Sequence, residues 1–206
     1  MSKIEALAKS KAAKKDFEPE DKRYVWFITI FMGLVGLCDN YLNLIENVTI
    51  PYLLVDFGIS ASDFAFWQGL FGLLTFGVFF VAFWSDRHGR RKGILVLMLV
   101  MAIPALLIAV LPLSYFFFMF LYAMVIMGTL SNLWEIPVSE EVPASKRATF
   151  GGIATLLSLL PVYAILGPII AKQLGWRWAY GIMGIVLLVL LLVWTKMREP
   201  KRWSTS

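Results

Sequence analysis

The sequence is short of charge. Of its 206 residues only 16% are Asp, Glu, Lys or Arg, while 59% are hydrophobic. Soluble domains carry about 25% charged and about 45–50% apolar residues, so soluble globular and disordered classes are excluded. Cysteine occurs once, as Cys38. A lone cysteine closes no internal disulfide, and a disulfide-stapled scaffold is excluded too. There is no cluster with metal-ligand spacing, no phosphate-binding loop and no nucleophile with its base, so no enzyme, metal or cofactor is expected. The net charge of +5 is not by itself a nucleic-acid signal. In a greasy chain the positions of the positive charges matter more than their sum.

Apolar length is abundant. A membrane helix needs ~20 predominantly apolar residues, and six such segments can be marked, at 24–54, 63–84, 93–111, 115–138, 148–171 and 177–196. Ser60 and Ser62 are candidate N-caps for the second segment. Gly89 punctuates the charged second link, and Pro112, Leu113 and Ser114 make a tight third one. Pro104, Pro161 and Pro168 fall inside segments and predict kinks, which membrane helices tolerate. The glycines of the second segment (Gly69, Gly72, Gly77) and sixth (Gly181, Gly184) are expected at close helix contacts. The expected class is an all-α membrane protein with six transmembrane helices. It divides into a polar tail at 1–23, a transmembrane domain at 24–197 and a C-terminal end at 198–206. The tail is not a secretory signal, because no small-residue cleavage site follows a short apolar core.

Of the 19 Lys and Arg residues, 17 fall on one side of a six-span arrangement. They lie in the tail, the second link (Arg87, Arg90, Arg91, Lys92), the fourth link (Lys146, Arg147) and the C-terminal end (Lys196, Arg198, Lys201, Arg202). Lys172 and Arg177 fall on the other side. Positive charge accumulates in cytoplasmic loops, so both termini are expected in the cytoplasm, with the chain in an inner or plasma membrane. Trp26, Trp84 and Trp194 at one set of helix ends, and Trp67, Trp176 and Trp178 at the other, give the aromatic belts expected at the two interfaces.

The first segment is the most informative. Asp39, Asn40, Asn43, Glu46 and Asn47 interrupt an apolar run. At about 100° per residue, Asp39, Asn43 and Glu46 lie within about 60° of one another, so one face is polar. Asp39 stands ~22 Å along the helix from Tyr24, past the bilayer midplane, and Glu46 lies nearer the outer interface. A carboxylate in the apolar zone costs at least ~2.5–3.5 kcal/mol unless it meets a wet cavity, a partner or a proton. The functional reading is a cavity-lining face, with Asp39 as a proton or substrate group. The plainer one, favoured for Glu46, is an anchor in a shallow outer vestibule. No Lys or Arg in the apolar segment bodies is available to pair with Asp39.

The second link reads Asp86-Arg87-His88-Gly89-Arg90-Arg91-Lys92. A carboxylate beside several guanidiniums forms charge-assisted pairs, and such pairs can latch helix ends in one conformation and release them in another. The alternative is that the basic residues only set topology. Asp-Arg-x-Gly-Arg-Arg between two apolar helices closely resembles the signature of the major facilitator superfamily. Glu140-x6-Arg147 in the fourth link resembles an element of its sugar-porter-like branches. Gly175-Trp176-Arg177-Trp178-Ala179-Tyr180 resembles the start of the family's sixth helix, and Glu199-Pro200 the exit from it. There are departures: Ala82 stands where the family usually has Gly, the fourth segment has no Arg in its apolar body, and Ile169-Ile170 follow Gly167-Pro168 in place of a Gly-rich antiporter motif.

The resemblance implies the N-terminal six-helix half of a twelve-helix fold, built as a 3+3 inverted repeat. Segments one and four would then be equivalent and line one cavity. The fourth has a matching polar set in Gly128, Ser131, Asn132, Glu135 and Ser139, within about 100° of arc. A substrate or proton cavity of Asp39, Asn43, Glu46, Asn132 and Glu135 follows. Glu135 pairing with link arginines at the interface is the equal alternative. A cytoplasmic latch would comprise Asp86, Arg87, Gly89, Arg90, Arg91, Glu140 and Arg147. The implied function is secondary active transport of a small polar solute by alternating access, with proton coupling through Asp39. The partners are lipid, solute, protons, and a second six-helix half or a homodimer mate, with no nucleic acid. The rival is a truncated or half-size member that does not transport alone and serves as an assembly partner.

Overall fold

The computed structural model describes residues 19–200, with side chains from 22. The expected tail up to residue 18, and Lys201 and Arg202 at the other end, lie outside the described residues. Every regular element among the described residues is helical. Helix α1 (Pro19–Leu44) leads through a turn at Ile45 into α2 (Glu46–Phe57). Next come α3 (Ala61–Gly72), a 3-10 stretch at Leu73–Gly77 and α4 (Val78–His88). Single-residue Gly89 separates α4 from α5 (Arg90–Val110), and α6 (Tyr115–Thr129) follows. The rest is α7 (Glu135–Glu141), α8 (Arg147–Ser158), α9 (Val162–Gln173) and α10 (Trp176–Trp194).

Five helical runs are long and apolar enough to cross a bilayer: Lys22–Phe57, Ala61–His88, Arg90–Val110, Arg147–Gln173 and Trp176–Trp194. The expected fourth span, 115–138, is not one helix. It stops at Thr129 and resumes at Glu135. Asn132 between them has φ 46°, a left-handed conformation that no α-helix contains. Ser131 Oγ turns back to Gly128 O at 3.0 Å, and Pro137 lacks the N–H that would continue the ladder to Leu133. The expected arc from Gly128 to Ser139 therefore fails, since its residues do not share one helical face.

The proline expectation divides in the same way. Residues 159–161 interrupt the Arg147–Gln173 run, whereas Pro104 and Pro168 sit inside continuous helices. Of the two candidate caps, Ser60 caps α3, accepting from Asp63 N at 3.1 Å.

Two tight seams organise the core. In the first, α1 lies against α8: a methyl at Gly33 would stand 3.2 Å from Ala154 O, and one at Gly36 would stand 2.8 Å from both Ser158 Cβ and Trp134 Cδ2. In the second, α5 lies against α10, where a methyl at Gly184 would meet Leu106 Cγ at 2.8 Å and Ala102 O at 3.1 Å. Small residues permit such approach where lipid, rather than water, surrounds the helices. Gly69 and Gly72 depart from expectation, as nothing lies within 4 Å of a Cβ built on either. The Ala61–His88 run is mostly exposed, with Phe66, Phe76, Phe79 and Phe80 turned outward.

Candidate functional site

Asp39 is buried within α1, only 3% exposed, and its Oδ2 has no hydrogen-bond partner. The charged group that acts on it is Glu135, at the start of α7. The break after α6 thus brings the two carboxyl groups within electrostatic reach. The other members of the expected polar face separate. Asn40 donates to Gly36 O at 3.1 Å within α1, and Asn47 of α2 donates to Leu44 O at 3.2 Å at the end of α1, so each is bonded to nearby backbone. Asn43 and Asn132 are exposed.

Glu46 is not an isolated surface anchor. Its Oε1 accepts from Gln68 Nε2 of α3 at 2.5 Å, and its Oε2 accepts from the Tyr122 hydroxyl of α6. One carboxylate therefore ties three helices together. Three residues later, Thr49 Oγ1 bonds Tyr180 OH of α10 at 3.0 Å. Gln68 and Tyr122 were missed in the sequence. The available signal was that Gln68 is an amide in an apolar run, and such a group needs a partner away from water.

At the basic end of the bundle the charged link is helical up to a single residue. Gly89 takes φ 104°, which L side chains rarely adopt, and a methyl there would stand 2.8 Å from the Glu199 carboxyl. Arg90 pairs with Asp86 one turn back and donates Nε to Glu140 Oε1 at 3.2 Å. It thereby links α4, α5 and α7. Glu140 Oε2 and Arg147 Nε both remain without a hydrogen-bond partner, so these two motif residues are close in sequence but unbonded. Arg87 lies over the Phe83 ring at 4.2 Å, and His88 Nδ1 is 3.0 Å from Trp84 O.

Glu199 is a third functional candidate missed as such. Its carboxylate accepts from Arg91 N at 3.2 and 3.3 Å, capping the N-terminus of α5 where the helix dipole favours an anion. Arg91 is clamped to the same segment. Its guanidinium lies 4.5 Å from the Trp194 ring centroid and donates to Thr195 O at 3.3 Å, while Trp194 Nε1 donates to Arg91 O at 2.9 Å. Arg198 N in turn donates to Tyr24 OH at 2.8 Å. At the opposite end, Asp56 accepts from Arg177 at 3.1 Å and from Trp176 Nε1 at 3.3 Å. The Gly175-Trp176-Arg177 element thus tethers α10 to α2.

The helical runs and the Arg90 junction are those of a multi-pass membrane protein. The sequence profile of the Major Facilitator Superfamily matches residues 25–206, and the chain belongs to that family of membrane transport proteins. It is 28% identical over 122 residues to YwtG of Bacillus subtilis (strain 168), a protein named for metabolite transport, covering 58% of this chain and 27% of YwtG. It is 33% identical over 128 residues to CsbC of the same organism, also named for metabolite transport, covering 58% of this chain and 26% of CsbC. Against SVOPL of Homo sapiens, named as a transporter, identity is 28% over 139 residues, 66% of this chain and 28% of SVOPL. The chain spans about a quarter of the length of these relatives.

Proposed function

We propose that the chain takes part in moving a small polar solute across a cell membrane by alternating access, coupled to protons through Asp39. The observation that carries this is the buried Asp39 carboxyl with one unpartnered oxygen. A group so placed must bind a proton, a solute or a partner as access alternates, because an ionised, solitary carboxylate in an apolar setting is costly. Arg90, held by Asp86 and Glu140, is the latch that breaks and re-forms as helix ends move. Glu140-x6-Arg147 favours the sugar-porter-like branch.

In this reading the interrupted α6–α7 unit is the fourth of six spans, both termini are cytoplasmic, and a second six-helix half or a second copy completes the cavity. A two-fold axis along the membrane normal would mimic the relation between halves of the full fold. Reporter fusions at residues 56, 88, 113, 145 and 174 should read out, in, out, in, out. A cytoplasmic signal at 113 or 174 would defeat the six-span arrangement.

Transport itself is tested in proteoliposomes holding the chain and a pH-sensitive dye. Adding members of a metabolite library should change internal pH for at least one solute. Silence with every solute, from chains shown by cross-linking to be paired, would favour the second reading, an assembly partner that does not transport.

A further inference from the structure

A cleft of about 280 Å³ lies between α7 and α8, close to the lower end of the range for ligand cavities, about 300–1,000 Å³. Its lining includes both signs of charge. Glu135 and Arg147 both line it, and neither is in an ion pair, with the other or with any described residue. Arg147 Nε has no hydrogen-bond partner. Trp134, only 3% exposed, forms part of the wall of the same cleft. Ser139 and Thr155 contribute hydroxyls.

A buried donor is nearly always satisfied, so the orphaned Nε of Arg147 marks a guanidinium without its acceptor, on a residue that lines the cleft. An anion alone would meet Arg147 but be repelled by Glu135. A simple cation would meet Glu135 but leave Arg147 unmet. We infer that the α7–α8 cleft binds a small zwitterion, its ammonium held by Glu135 and its acidic oxygens by the Arg147 guanidinium. The chemistry is that of an amino-acid-like solute, and equally of a phosphoethanolamine lipid headgroup. Binding here does not rest on transport, since the site fills even in a chain that moves nothing.

The test uses the full chain in uncharged maltoside micelles, read by thermal unfolding. A ligand that binds only the folded state raises Tm in proportion to its occupancy. Leucine, β-alanine and phosphoethanolamine are the free probes. Isopentylamine and 4-methylpentanoate each carry only one of leucine's two charges. At least one zwitterion should raise Tm with a saturating dose response, while the single-charge analogues do not.

Glu135→Gln and Arg147→Gln should each weaken that response by about tenfold, as expected for losing a charged hydrogen bond. If phosphatidylethanolamine added to the micelles raises Tm and abolishes the response to free zwitterions, the headgroup is the resident ligand. If the response persists, the ligand is a solute. No shift with any zwitterion or with the lipid, equal shifts with the single-charge analogues, or shifts unchanged in Glu135→Gln and Arg147→Gln would overturn the assignment.

Discussion

Asp39→Asn should lower proton-linked uptake by at least about tenfold, which corresponds to ~1.4 kcal/mol on the coupled step, while leaving the protein at least as stable as before. The two outcomes have one cause. Asn matches Asp in shape, so the packing of α1 is kept, and it is neutral without a proton, so no ionised carboxylate is left buried. What it cannot do is bind and release a proton. Groups placed for function at a cost in stability behave in this way when neutralised. Glu46→Gln should show the reverse pattern. Its carboxylate holds Gln68 and Tyr122, so neutralising it should weaken the tie between three helices by about 1–2 kcal/mol and affect uptake less. Uptake in proteoliposomes and thermal unfolding of both variants decide the matter. Full uptake by Asp39→Asn would remove the residue from the mechanism, and a marked fall in its Tm would mean that the carboxyl has a structural partner.

Gly89→Val should destabilise the basic end sharply. At φ 104° a β-branched residue is strained by about 1–3 kcal/mol. Its side chain would also displace the Glu199 carboxyl, which stands 2.8 Å from the Cβ position. Losing that cap from α5 adds about 1 kcal/mol. In a chain of this size the combined effect corresponds to a fall in Tm of roughly 4–16 °C. Gly69→Ala is the internal control. Nothing lies within 4 Å of its new methyl, and Ala in a helix is favoured over Gly by about 1 kcal/mol, so Tm should hold or rise. Equal stability of the two variants would show that neither the Gly89 conformation nor the Glu199 cap matters.

The class of this protein was legible in its composition and charge pattern. A chain with 59% apolar and 16% charged residues cannot remain folded in water as a bundle of long apolar helices. The Asp-Arg-x-Gly-Arg-Arg link pointed to the family that the profile of residues 25–206 establishes. Asp39 was also legible as a candidate, because a carboxyl in an apolar run carries its own energetic signal wherever the helix goes.

What the sequence could not decide depended on residues far apart in the chain. Helical periodicity assumes an unbroken helix, and the arc drawn through Asn132 and Glu135 failed when the chain turned left-handed at Asn132. The same turn brought Glu135 within electrostatic reach of Asp39, a relation that no spacing rule contains. Glu46 read as a lone vestibule anchor because its partners, Gln68 and Tyr122, lie 22 and 76 residues away. Glu199 read as a helix exit, and only packing put it 108 residues back against Arg91 N, beneath a glycine that leaves room for it. Burial and single-residue chemistry are local and survive in the sequence. The partner of a polar group is set by which helices touch, and that is decided by the small residues at their seams, such as Gly33, Gly36 and Gly184.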